Sequence, residues 1–231
     1  MLDVFLEGAT VDLCVPTIAF ARGDTWYRWF NSRTITRHLS DQGVFPNTPE
    51  LQEEYFAGLE QSRLILVAQT KQGTPRGVVS FSHINWRRRN ADFSIVFDHK
   101  IAPKTSPVAA LEASALLLEH GVDTVGLHRI QASFHSQVAR WAQRLELLGF
   151  RLEGIQRHGF VKGSESADAL TSAASAGDID AIRDFRGGKL FDCPEKMLER
   201  MRALPSVSMS EQLKGFSSRV CDPYYEKIFR L

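Results

Sequence analysis

The side chains best placed for proton chemistry in this sequence are Asp92, His38 and His83. Asp92 interrupts a run in which Ala91, Phe93, Ile95 and Phe97 share one face of a strand, while Asp92, Ser94 and Val96 share the other. A carboxylate partly withdrawn from water beside apolar neighbours can be tuned to exchange a proton near neutral pH. The same residue also reads as an ordinary strand acid, facing solvent or pairing with the basic run Arg87, Arg88 and Arg89. His38 belongs to the polar segment Asn31 to Pro46, and His83 to the strand before Asp92. Each also reads as a satisfied surface or core histidine. The three cysteines, Cys14, Cys193 and Cys221, are far apart and lack ligand spacing, so reduced thiols and no metal site are expected.

The elements that must position these groups are organised around the stretch from Gly126 to Glu153. Ile130, Ala132 and Phe134 alternate with Arg129, Gln131 and Ser133, the period of a half-buried strand. From Val138 the period changes. Val138, Trp141, Ala142, Leu145 and Leu148 fall on one helical face, Gly149 offers the left-handed conformation that ends a helix, and a strand follows over Phe150 to Ile155.

Upstream, Thr10 to Val15 reads as a first strand. An aromatic helix comes next, in which Trp26, Trp29 and Phe30 bury a face, followed by a short helix and a loop. Thr48 and Pro49 announce another helix as N-cap and first helical residue. A meander of three strands then covers Leu64 to Ala68, Gly77 to Ile84 and Ala91 to Phe97, with the arginine run closing the second hairpin. The apolar run of the first of these implies cover on both faces. Ser106-Pro107 opens a helix that buries Val108, Leu111, Ala115 and Leu118. The small, polar residues 163–178 read as a linker or weak helix. Three amphipathic helices follow, over Pro194 to Leu204, Ser208 to Phe216 and Pro223 to Phe229.

With 231 residues and 43% hydrophobic content, the chain can form one good-sized core with an appendage. A formal charge of +1 argues against a surface built for nucleic acid. The N-terminus has no basic region leading into a long apolar run, so no membrane span is expected and a cytoplasmic location is.

The order of these motifs resembles the GNAT superfamily of acyl-CoA N-acyltransferases, in the branch of ribosomal-protein alanine and nucleotide-amino-sugar N-acetyltransferases. The matching residues are G-L-H-R-I, then L-G-F-R-L-E-G and Arg157. In the first half, W-F-N-S-R-T-I-T-R-H-L and G-V-F-P-N-T-P-E are similar to the segments this branch places over its acceptor pocket. The resemblance covers about residues 9–163 and implies an α/β fold with a mixed, mostly antiparallel sheet flanked by helices. It divides the chain into a GNAT-like acyltransferase domain at 1–163 and a helical C-terminal extension at 164–231.

The resemblance also implies acetyl-CoA as cosubstrate, with direct transfer to a primary amine of a small molecule such as a nucleotide-linked amino sugar. Pantetheine would lie along Ser94, Ile95, Val96 and Phe97, where the third meander strand leaves its neighbour. Pyrophosphate would sit at the helix start formed by Lys104, Thr105, Ser106, Val108, Ala109 and Ala110. Asp92 matches the position from which relatives deprotonate the amine through water, with His38 and His83 as further candidates. Two departures stand out. Val108 replaces the central glycine of the phosphate loop and Pro107 removes an N–H donor, while Leu145 stands where many members carry a proton-donating tyrosine. A non-catalytic GNAT-fold protein that acts as a binding or assembly module is therefore the alternative function. The apolar side chains Tyr224, Tyr225 and Phe229 make a homodimer possible.

Overall fold

The computed structural model describes residues 2–58, 61–98 and 106–231. Its centre is an eight-stranded sheet in the order β1-β2-β3-β4-β5-β6-β8-β7. The strands are β1 (Val4–Leu6), β2 (Val11–Cys14), β3 (Leu64–Thr70), β4 (Pro75–Asn85), β5 (Asn90–Phe97), β6 (Arg129–His135), β7 (Arg151–Lys162) and β8 (Glu165–Ser175). Every pairing is antiparallel except that of β5 with β6. Between β2 and β3 come α1 (Ile18–Arg22), α2 (Asp24–Asn31), α3 (Arg33–Thr36) and α4 (Pro49–Ala57). Helix α5 (Ser106–Asp123) links β5 to β6, and α6 (Ala139–Leu145) links β6 to β7. The mixed, mostly antiparallel α/β architecture expected from the sequence is the one found.

The two-sided burial expected of β3 follows from its alternation. Leu66 and Ala68 join the main core with Val79, Phe81, Phe93, Leu111, Leu118 and Ile130 under α5. Ile65 and Val67 enter a second cluster on the other face, with Trp26, Trp29 and Val78. The aromatic helix α2 is thus core, as its spacing implies. Buried polar groups tie this second layer together. Trp26 Nε1 donates to Gln52 Oε1, and Gln52 Nε2 donates to Asn47 Oδ1 over 2.6 Å. Asn47 and Asn31 exchange two further bonds of 2.7 Å each. Thr48 caps α4 through Leu51 N, with Pro49 at the helix start.

Beyond Gly149, whose φ of +97° closes the turn after α6, the structure departs from expectation. Residues 163–178 are no linker. Strand β8 runs through them and lies between β6 and β7, with Ala169, Leu170, Ala173 and Ala174 buried. The strand β7 is also longer than Phe150 to Ile155. The division at 163 therefore falls in the turn of the β7–β8 hairpin that ends the sheet. The physical reason is tertiary: alanine and serine have little strand preference of their own, but a strand with partners on both edges satisfies its whole backbone.

Helix α7 (Ala176–Phe185) was not expected either. Ser175 caps it in a capping box with Asp178. Three helices then appear close to where amphipathic spacing puts them: α8 (Pro194–Ala203), α9 (Met209–Phe216) and α10 (Asp222–Ile228). Leu190 and Met197 are completely buried and belong to the main core. Tyr224, Tyr225 and Phe229 are exposed. No helix among the described residues is long and apolar enough to cross a membrane.

Candidate active site

The site is built where β5 and β6 part. They pair only at Asn90↔Arg129, Ala91↔Ile130 and Asp92↔Gln131. Past that point β5 has no β6 partner, while β6 stays paired with β8 on its other edge along its whole length. Two cavities open at this fork, of about 460 and 240 Å³. Both are lined by Ser94, Ile95 and Val96 from β5 and by Ser133, Phe134 and His135 from β6. Both also touch His38 and Leu39, which follow α3. The larger cavity extends under the α2–α4 layer to Trp26, Tyr55 and Arg63. The smaller reaches Ala110 of α5 and Trp141 of α6.

Of the three candidate proton carriers, Asp92 and His83 come together, and His38 stands apart from the pair. Asp92 sits at the closed end of the fork, where Gln131 Nε2 donates to Oδ1 over 2.6 Å and His83 Nδ1 lies 2.8 Å from Oδ2. Its partners are thus a histidine and a glutamine, and not the arginine run. Among the described residues Asp92 lines neither cavity, while His83 lines the larger one at its exposed rim. His38 alone stands at the junction. Its Nδ1 is sealed from solvent without a hydrogen-bond partner. Burial lowers its proton affinity first, and the neighbouring His135 and Arg37 lower it further, against an opposing pull from Glu165.

The smaller cavity suits the extended arm of acetyl-CoA because the backbone of Ser94 to Phe97 has no strand partner on the β6 side. Among the described residues Ala110, in the second turn of α5, lines this cavity, and the N–H groups that open a helix favour an anion. Val108, Ala109 and Ala110 are buried in the core. Ser106 opens the helix, whereas Lys104 and Thr105 lie outside the described residues. Leu145 is fully buried in the main core and cannot act on a leaving group.

Sequence reasoning missed His135 and Glu165. His135 continues the polar alternation of Gln131 and Ser133 by one more step, so the strand period contained its signal. Its imidazole lies 4.6 Å from that of His38, centroid to centroid. Its Nδ1 accepts from Gln137 N over 3.0 Å, and its Nε2 lies 3.3 Å from Glu165 Oε1. Glu165 had no signal while its strand was read as a linker.

One lysine holds the lid of the larger cavity. Lys162 Nζ donates to the carbonyls of Thr36, Leu39 and Gln42 over 2.7, 3.0 and 2.6 Å. Gly43, at φ +74°, brings the chain back so close to Thr36 that a Cβ would collide with it. Lys162→Met is expected to cost about 1–3 kcal/mol, because the carbonyls lose a charged donor. Thermal melts and steady-state kinetics check this: the melting midpoint falls, and the acceptor KM rises more than kcat falls.

Known proteins give the same frame. Residues 18–151 match the family model of the acetyltransferase (GNAT) domain. Spermidine N-acetyltransferase from Vibrio cholerae, solved with CoA and spermine, superposes with a TM-score of 0.66 at 17% identity, covering 74% of this chain and 98% of that one. A protein from T. thermophilus, provisionally designated an acetyltransferase, gives 0.62 at 22% identity, over 78% of this chain and 93% of its own. No curated protein matches the chain by sequence. The matched domain runs from the first helix to the start of β7 and encloses the forked strands, so the chain belongs to the GNAT acetyltransferase family.

Proposed function

We propose that the protein transfers an acetyl group from acetyl-CoA directly to the primary amine of a small molecule. The observation that carries this is the meeting of two cavities at the β5–β6 fork with His38 between them. Acetyl-CoA along β5 would supply the activated acyl group. His38, held neutral by burial, takes the proton from the ammonium and frees its lone pair for attack. The cavity walls hold the two reactants at one point, which is the main service an enzyme of this kind renders. The buried Leu145 leaves no donor at the helix position where the family often has one, so the thiolate departs without help from α6.

The lining supports an acceptor class. Among the described residues, the formally charged side chains at the larger cavity are Asp41 and Arg63, with His38 and His83 beside them. A polycation such as the spermine bound by the Vibrio cholerae protein calls for a cluster of carboxylates, which this lining lacks. One arginine above aromatic walls suits an amine that carries an anionic group, as a nucleotide-linked amino sugar does. Titration calorimetry with acetyl-CoA and CoA, followed by mass spectrometry on an amine panel, tests both levels. Saturable acetyl-CoA binding and a mass gain of one acetyl group are expected. Absence of binding at millimolar ligand overturns the reading in favour of a non-catalytic binding module.

A further inference from the structure

We propose that His135 and Glu165 are positioning residues that set the proton affinity of His38. The role rests on the acetyl-transfer reading, but the coupling of the three groups is detectable without any turnover. His135 has a side chain wholly removed from water, yet it is an imidazole packed edge-on against Phe160 with centroids 4.4 Å apart. A buried polar ring needs partners, and these two are specific. The main-chain N–H of Gln137 donates to Nδ1, so the neutral ring carries its proton on Nε2. That nitrogen faces Glu165 Oε1 at 3.3 Å, close enough for an ion pair though off the line of a hydrogen bond.

The three groups stand in a row from cavity to water. His38 borders both cavities, and its Nδ1 is sealed and unpaired on the protein side. Its ring lies 4.6 Å from that of His135 at a tilt of 41°. Glu165 is 39% exposed, so the far end of the row reaches solvent. The charged and titratable groups that act on His38 are Arg37 beside it, His135 from β6, Lys162 from β7 and Glu165 from β8. Of these only Glu165 favours the imidazolium. Acylation of an ammonium by a thioester releases one proton overall. That proton leaves nitrogen for His38, its bonding pair stays behind on nitrogen, and no oxidant or reductant is involved.

The test is an NMR titration of the histidine Cε1 protons in the full chain, with the His38 signal assigned by its loss in His38→Gln. Glu165→Gln removes the one favourable charge and is expected to move the His38 midpoint to lower pH by roughly half a unit or more. Glu165→Asp, which keeps the charge, is expected to restore most of the shift. A midpoint that stays put or rises in Glu165→Gln overturns the proposal. The acid limb of kcat/KM is expected to move by the same amount. Should no form of the protein transfer acetyl, the proposed function falls while the titration still decides the coupling.

Discussion

Replacing His38 with glutamine is expected to lower kcat by about 10²–10⁴-fold, the usual contribution of a positioned general base. The KM for acetyl-CoA should change little, since the cofactor arm is assigned to the β5 backbone. The reason for choosing His38 over the other two candidates is geometric. It borders both cavities, whereas Asp92 is already engaged by His83 and Gln131 at the closed end of the fork. Asp92→Asn and His83→Gln are expected to keep kcat within a few-fold of the parent. The pH profile adds a sign. A histidine whose proton affinity is lowered by burial is unprotonated at neutral pH, so kcat/KM should rise on the acid side of 6.5 and level off above it. In His38→Gln this limb disappears. If Asp92→Asn abolished turnover and His38→Gln did not, the assignment would be wrong.

The contrast between these residues shows what the sequence could convey. The elements around the fork were legible because they rest on local patterns, namely the alternation of β5 and β6, the change of period at α6 and the glycine that stops the turn after it, whereas the parting of β5 from β6 was implied only by the family resemblance. Thr48-Pro49 was legible for the same reason, since a cap is a contact within one turn. The two-faced burial of β3 showed in its unbroken apolar run. Strand β8 did not show, because its residues are mostly alanine, serine and acids. Its conformation is imposed by neighbours on both edges, which no local pattern records. Glu165 went unseen along with it. Helix α7 is a different case, for Ser175 and Asp178 are spaced as a capping box and Ile179 and Ile182 continue the helical period. Polar composition masked that signal.

A chain ended after Gly163 is expected to fail to fold, whereas one ended after Ser206 is expected to melt cooperatively only a few degrees below the parent. The first cut removes β8 from between β6 and β7, so β7 loses its one strand partner and β6, left with only its short pairing to β5, becomes a bare edge. It also removes Leu170, Ile179, Leu190 and Met197, all at or near complete burial. At about 1.5–3 kcal/mol for each such side chain, these four alone match the 5–15 kcal/mol that typically separates a folded domain from its unfolded chain. The second cut keeps α8 and the carbonyl of Pro205, which receives Arg140 Nη1 at 3.1 Å and Gln143 Nε2 at 2.9 Å. What it discards is mostly exposed: α9 and α10, with the ion pair of Lys214 and Asp168 at 3.2 Å. Such a surface pair contributes at most about 1 kcal/mol. Circular dichroism melts and size-exclusion chromatography of the two truncated chains decide the matter. A cooperative melt near the parental midpoint for the chain ended at Gly163 would show that the sheet closes without β8. That result would also detach Glu165 from the site, since a chain lacking it would then retain His38 and His135 in place.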